Sequence, residues 1–179
     1  MITQTQFLTI KAKLKFSSRM PLSAFLLKHG TWQRGNALCD KYKTQSMGYC
    51  FENAWKIEKK HKLEYWEGYA WCPSVTGEVF YHHAWCVDPA SGEIIDVTWS
   101  DSATCLYRGV HIPTSKLQEI IGRSRVYGAL DRGHGFETEI VKSLFGWTPK
   151  NSETQMPRER SFSDYLKRQK WPKHLEANP

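Results

Sequence analysis

One stretch, Gly48 to Trp99, constrains the fold of this chain more than any other, because its hydrophobic period changes partway along. From about Tyr49 to His61 the residues CFENAWKIEKKH favour a helix, with Ala54, Trp55 and Ile57 on one face and Glu58 to Lys62 in solvent. Three strand candidates follow, at Glu64–Cys72, Val79–Asp88 and Glu93–Trp99. The last two flank DPASGE, a strong turn signal, and are predicted to pair as a hairpin. A helix followed by paired strands specifies an α+β domain.

The flanks are less regular. Leu8, Ile10, Ala12, Leu14 and Phe16 alternate with polar residues, and that period of two predicts a strand with one buried face. Pro21 to His29 reads as a short helix ended by Gly30, and the polar segment Thr31–Met47 as a loop leading into Cys50. IPTSKLQEII carries a Thr or Ser cap before another helix, and GFETEIVKSLFG a further one ending at Gly146. Beyond Thr148 the chain is polar and basic and is broken by Pro149, Pro157 and Pro172, with a short helix expected near Phe162–Gln169. The expected organisation is one domain over 1–147 and a peripheral extension over 148–179.

With 179 residues and eight each of Trp, Tyr and Phe, the chain can build a core without metal or disulfide staples. No apolar run is long enough to cross a bilayer, and MITQTQFLTIKAKLKF lacks the unbroken apolar core of a signal peptide. Five cysteines (Cys39, Cys50, Cys72, Cys86, Cys105) are an odd number without framework spacing, which predicts free thiols in a reducing, cytoplasmic setting. The net charge of +7 comes from dispersed lysines and arginines with no recognition-helix or RNP-like pattern, so solubility rather than a nucleic-acid partner accounts for it.

Three residues have settings suited to acyl-transfer chemistry. Cys50 lies at the predicted helix start, where unpaired N–H groups and the positive dipole end favour a thiolate and can bind an oxyanion. A small buried cysteine with no chemical role is the bland alternative. Asp96, set among Ile94, Ile95, Val97 and Trp99, is a carboxylate in an apolar strand, which is costly without a partner. If Val87 pairs with Ile94 across the turn, His83 and Asp96 become diagonal neighbours on one face. A shift of one residue puts Asp96 on the face of His82 instead.

The order GYC, EGYA, HAW and DVTW from Gly48 to Trp99 resembles the core of the transglutaminase-like superfamily, within the papain-like cysteine hydrolase fold. The resemblance covers under a third of the chain. It implies that Cys50 is a nucleophile, His83 a general base and Asp96 the acid that orients it, on a papain-like core whose nucleophile helix packs on an antiparallel sheet or small barrel. Papain-like enzymes also place a glutamine shortly before the nucleophile. Gln45 is the candidate oxyanion donor by position, one residue off that spacing, and a plain loop glutamine is the alternative.

A zinc site built from Cys72, His82, His83 and Cys86 lacks paired ligand spacing, and adjacent strand residues point apart. DRGHG at Asp131–Gly135 reads as a turn, without the strand–loop–helix context of a phosphate site. The expectation is therefore a cysteine hydrolase or acyltransferase of protease, deamidase or transglutaminase type. It needs no metal or cofactor, and its substrate is a protein, a peptide or a small amide. Small bacterial and phage proteins resemble this core, and the alternative is a catalytically silent binding or inhibitory protein on the same fold, engaging a protein or nucleic acid.

Overall fold

A computed structural model describes residues 8–10, 13, 21–76, 79–130 and 137–149. In chain order the elements are helix α1 (Pro21–His29), strand β1 (Thr31–Arg34), helix α2 (Cys50–His61), strand β2 (Glu64–Trp71), the short helix α3 (Pro73–Thr76), strand β3 (Tyr81–Val87), strand β4 (Ile94–Ile95), a 3-10 turn (Ser102–Thr104), strand β5 (Leu106–His111), helix α4 (Thr114–Ser124) and helix α5 (Thr138–Phe145). The strands form one curled antiparallel sheet in the order β1-β5-β2-β3-β4. The architecture is α+β, as the change of period around His61 predicts. The segments Asp131–Gly135 and Phe162–Gln169 lie outside the described residues.

The two faces of the sheet have separate cores. Tyr65, Ala84, Cys86 and Val110 pack against Phe25 and Leu26 of α1, Ala54 and Ile57 of α2, Leu117 of α4 and Val141 of α5. On the other face Ala70, Trp85, Val87, Tyr107 and Trp99 cluster, so the sheet curls over its own aromatic side chains. Gly109 permits that curl. A Cβ there would lie 2.5 Å from the Trp85 ring and 2.6 Å from the Glu67 carbonyl oxygen, so a side chain on β5 would push the indole out.

Several expectations give way to tertiary context. Leu8, Thr9, Ile10 and Lys13 are helical rather than extended, and the rest of the predicted strand to Phe16 lies outside the described residues. One edge of the sheet belongs instead to β1, within the segment read as a loop, pairing Thr31 with Gly109 through Arg34 with Leu106. Non-local partners secure β1: Gln33 Oε1 accepts from Trp85 Nε1 at 3.0 Å, and the Arg108 guanidinium lies 5.1 Å over the Trp32 ring. β5 itself has no alternation to betray it, because Arg108 occupies a buried strand position. Its Nε and one terminal nitrogen donate to the carbonyls of Leu26 and Leu27 at 2.7 and 2.8 Å and cap the end of α1.

Cys72 and Cys105 are joined as a disulfide, which corrects the expectation of five free thiols. The β2–β5 register pairs Trp71 with Leu106, and the cysteines are the next residue outward on each strand. A separation of 33 residues concealed this. Cys39, Cys50 and Cys86 are free. At α4 the expected hydroxyl cap is absent: Pro113 occupies the cap position, and the Thr114 hydroxyl donates to the buried Glu58 carboxylate. α1 and α5 run as predicted, with Gly146 in the left-handed region at φ +63 after α5. Among the described residues no helix is long and apolar enough to cross a membrane.

Candidate active site

Gly48 turns the chain into α2 at φ +86, a conformation that favours glycine, and Cys50 is the first helical residue. The main-chain ladder starts with Asn53 N–H donating to the Tyr49 carbonyl at 2.8 Å, so the amides of Cys50, Phe51 and Glu52 precede it. Asn53 anchors this end of the helix. Its Nδ2 donates to the Ser46 carbonyl at 2.9 Å and to the Thr98 hydroxyl at 3.1 Å, tying the helix start to the loop that carries Asp96.

The hairpin register is the one that pairs Val87 with Ile94 and Cys86 with Ile95. The expected strand Glu93–Trp99 nevertheless stops after Ile95. Asp96 Oδ1 accepts the N–H groups of Thr98 at 2.9 Å and Trp99 at 3.2 Å, and this side-chain turn replaces the ladder. Asp96 Oδ2 accepts from His83 Nε2 and from the Tyr107 hydroxyl, both at 2.8 Å. His83 and Asp96 are 2% and 1% exposed, so each charge depends on the other. The indole of Trp99 stacks on the His83 ring with centroids 3.9 Å apart and planes 16° from parallel.

Burial alone would push the His83 imidazole down. The charge and hydrogen bond of Asp96, with a smaller contribution from the Cys50 side chain, reverse this and raise it from 6.5 to about 9. Burial likewise opposes the Asp96 carboxylate, but His83, the Thr98 amide and the Tyr107 hydroxyl hold it below its ordinary value of 3.8. Burial pushes the Tyr107 phenol well up, and the Asp96 charge pushes it further. His83 thus holds its proton at neutral pH. With Nε2 committed to Asp96, Nδ1 is the ring nitrogen left for another partner.

Cys50 and His83 line a cleft of about 420 Å³ together with His82, Phe51, Thr98 and Trp99. Among the described residues no Lys, Arg, Asp or Glu lines it, and its rim includes Met47 and Tyr81, which are 63% and 53% exposed. His82 and His83 reach it from opposite faces of β3, because β4 covers the outer edge of that strand only at Cys86 and Val87. Gln45 stands apart. Its Nε2 donates to the Lys43 carbonyl at 3.1 Å, its N–H to the Val97 carbonyl at 2.6 Å, and it does not line the cleft.

His82 pairs with a carboxylate that the sequence reading did not single out. Its Nε2 lies 3.0 Å from Oε1 of Glu67, which is 0% exposed. Glu67 also accepts from the Tyr65 hydroxyl at 3.1 Å and from the N–H groups of Ala129 and Leu130, each at 2.7 Å. The argument applied to Asp96, an acid within an apolar strand, would have found Glu67 between Trp66 and Tyr69. Asn53 and Tyr107 had no such signal. Among the described residues no cluster of three or more His, Cys, Asp or Glu is placed to hold a metal ion. Compared with protein-family models, curated proteins and solved structures, the chain matches none.

Proposed function

We propose that the protein is a cysteine-dependent hydrolase or acyltransferase acting on an amide or related acyl bond, with Cys50, His83 and Asp96 as its triad. The observation that carries this reading is that the buried His83–Asp96 pair and Cys50, at the start of α2, meet at one cleft. The order of GYC, HAW and DVTW, similar to the transglutaminase-like core, supports it. The apolar rim of the cleft, with Met47 and Tyr81 exposed there, suits an acyl group with apolar neighbours, such as a peptide segment or small amide.

In this chemistry the thiol proton rests on His83 Nδ1, and the Cys50 sulfur attacks the carbonyl carbon. The carbon–oxygen π pair moves onto oxygen, which the Cys50 N–H at the helix start can receive. Collapse re-forms the carbonyl and breaks the bond to the leaving group, which departs with the proton from His83. Water or an amine then adds to the thioester, gives its proton to His83 and releases the acyl group, so that thiol and imidazole return to their starting state. Asp96 keeps Nε2–H in place throughout.

Alkylation by iodoacetamide, followed by mass spectrometry, tests the reading. Cys39 is exposed, Cys50 partly buried and Cys86 buried. If exposure alone governs reactivity, Cys39 reacts first. The proposed pair instead makes Cys50 fastest at mildly acidic pH, and His83→Ala removes that advantage. Cys39 reacting first, with no effect of His83→Ala, would overturn the proposal in favour of a silent binding protein.

A further inference from the structure

Cys50 and the His83–Asp96 pair come from separate pieces of the chain, the first residue of α2 on one side and strand β3 with the turn after β4 on the other. The β3–β4 register and the bond between the two side chains set His83 against Asp96, but neither reaches the helix. Asn53 does. It lies three residues after Cys50, one turn along the same side of α2, and is buried. Its Nδ2 donates to the Ser46 carbonyl at 2.9 Å and to the Thr98 hydroxyl at 3.1 Å. A carbonyl has no proton to give, so the Ser46 contact fixes which end of the amide is nitrogen and makes the Thr98 hydroxyl an acceptor.

The two bonds clamp different things. Ser46 precedes the Gly48 turn and Asn53 follows it, so the first closes the loop that delivers Cys50 to the helix start. The second crosses to the turn that carries the acid. There the Thr98 N–H donates at 2.9 Å to Asp96 Oδ1, and Oδ2 of the same carboxylate accepts from His83 Nε2 at 2.8 Å. A run of hydrogen bonds thus joins the first turn of α2 to His83 through four buried residues. Other ties hold this region together. Cys86 Sγ donates to the Ala54 carbonyl at 3.2 Å, the Thr114 hydroxyl to Glu58 further along α2, and the Gln45 N–H to the Val97 carbonyl at 2.6 Å, ahead of the Gly48 turn. None of these three runs from the first turn of α2 to the Asp96 turn.

We propose that Asn53 is a positioning residue, whose amide locks the first turn of α2 to the Asp96 turn and so sets the separation and angle between the Cys50 sulfur and the His83 imidazole. This rests on the reading of Cys50 as a nucleophile and names what aligns it. Sharing of a proton between two groups weakens steeply away from hydrogen-bonding geometry, and a misplacement of about 1 Å can cost on the order of a hundredfold in rate. Asparagine is a poorer helix former than the alanine beside it, and a buried amide is costly unless its donors are met. Helix stability therefore gives no reason for Asn53 at this inner position, whereas alignment does.

Alkylation of Cys50 by iodoacetamide reads the alignment when taken as a ratio, the rate at mildly acidic pH over the rate at alkaline pH. A change in access moves both rates alike, whereas a weakened pairing of sulfur and imidazole lowers the acidic rate alone. In the full chain, Asn53→Ala is expected to reduce that ratio by about tenfold or more. Thr114→Val cuts a tie made by the same helix at a distant point, and is expected to lower the urea midpoint while the ratio stays within about twofold of the wild type. Should Asn53→Ala fail to fold, as judged by loss of protection at Cys86, Thr98→Val must lower the ratio in its place. An unchanged ratio in the folded variant overturns the role of Asn53 and leaves the triad standing. Equal losses in Asn53→Ala and Thr114→Val also overturn it, because the ratio would then follow the general hold on α2. A wild type without selective labelling at Cys50 removes the triad reading and this inference together.

Discussion

Asp96 and Glu67 each accept hydrogen bonds from one imidazole, one phenol and two main-chain N–H groups, but the chain assembles the two sets over very different distances. For Asp96 the amides belong to Thr98 and Trp99, within the same turn. For Glu67 they belong to Ala129 and Leu130, 62 and 63 residues further on. The Asp96 arrangement is a local motif that a short sequence can encode. The Glu67 arrangement exists only when the segment before α5 has docked on the sheet. Changes at Asp96 should therefore be felt first in chemistry, and changes at Glu67 first in stability.

The sharpest way to break that contrast is Asp96→Asn. An amide can still accept the two turn N–H groups through its oxygen, so the loop keeps its shape, but His83 loses the anion that fixes its tautomer. On the proposed chemistry, acylation by p-nitrophenyl acetate falls by roughly 10⁴-fold while the circular dichroism spectrum is retained. A loss below tenfold would show that Asp96 is only a turn-former.

Glu67→Ala comes next. It strands two buried amides, the Tyr65 hydroxyl and His82 Nε2, and is expected to cost about 3–5 kcal/mol of unfolding free energy. A urea titration that leaves the midpoint unmoved would mean that water replaces the carboxylate, and that the docking of Ala129 and Leu130 is independent of it.

The same contrast explains what could be read from the residues alone. The Val87–Ile94 pairing followed from DPASGE and strand alternation, and with it the contact between His83 and Asp96. α2 followed from its amphipathic period. These are local or nearly local signals. β5 was illegible because Arg108 is satisfied by carbonyls of α1 and Gly109 by the Trp85 ring, partners some 80 and 24 positions away. The disulfide depended on the β2–β5 register and so was hidden with it. At the site, Cys50 and His83 were legible from their settings. Asn53 was not, since its partners Ser46 and Thr98 are fixed only once the loop has folded.

Acidity offers a gentler test. His83 rises from 6.5 to about 9 on folding, so its contribution to stability is complete below pH 6.5 and is lost as pH climbs through about 9. Asp96 is lowered on folding, so its contribution is present above 3.8 and is lost as pH falls through its lower folded value. The urea midpoint should be highest between these limits and decline on the alkaline side. His83→Gln should flatten the alkaline decline. A slope that persists in that variant must come from other groups.

The smallest effects come from the two phenols, and they address the comparison most directly. Tyr107→Phe and Tyr65→Phe each remove one hydroxyl donor from a buried carboxylate, at a cost of about 1–3 kcal/mol in stability for the acceptor left short. Their consequences for the site should differ. Without the Tyr107 hydroxyl, Asp96 is less well stabilised as an anion and becomes a stronger partner for the His83 proton, so the alkaline limb of acylation should move above about 9. Tyr65 donates to the Glu67 carboxylate, on the other face of the sheet, so its removal should leave that limb in place. If both variants displace the limb equally, the two carboxylates act as one coupled electrostatic unit, and the division between a chemical and an architectural acid fails.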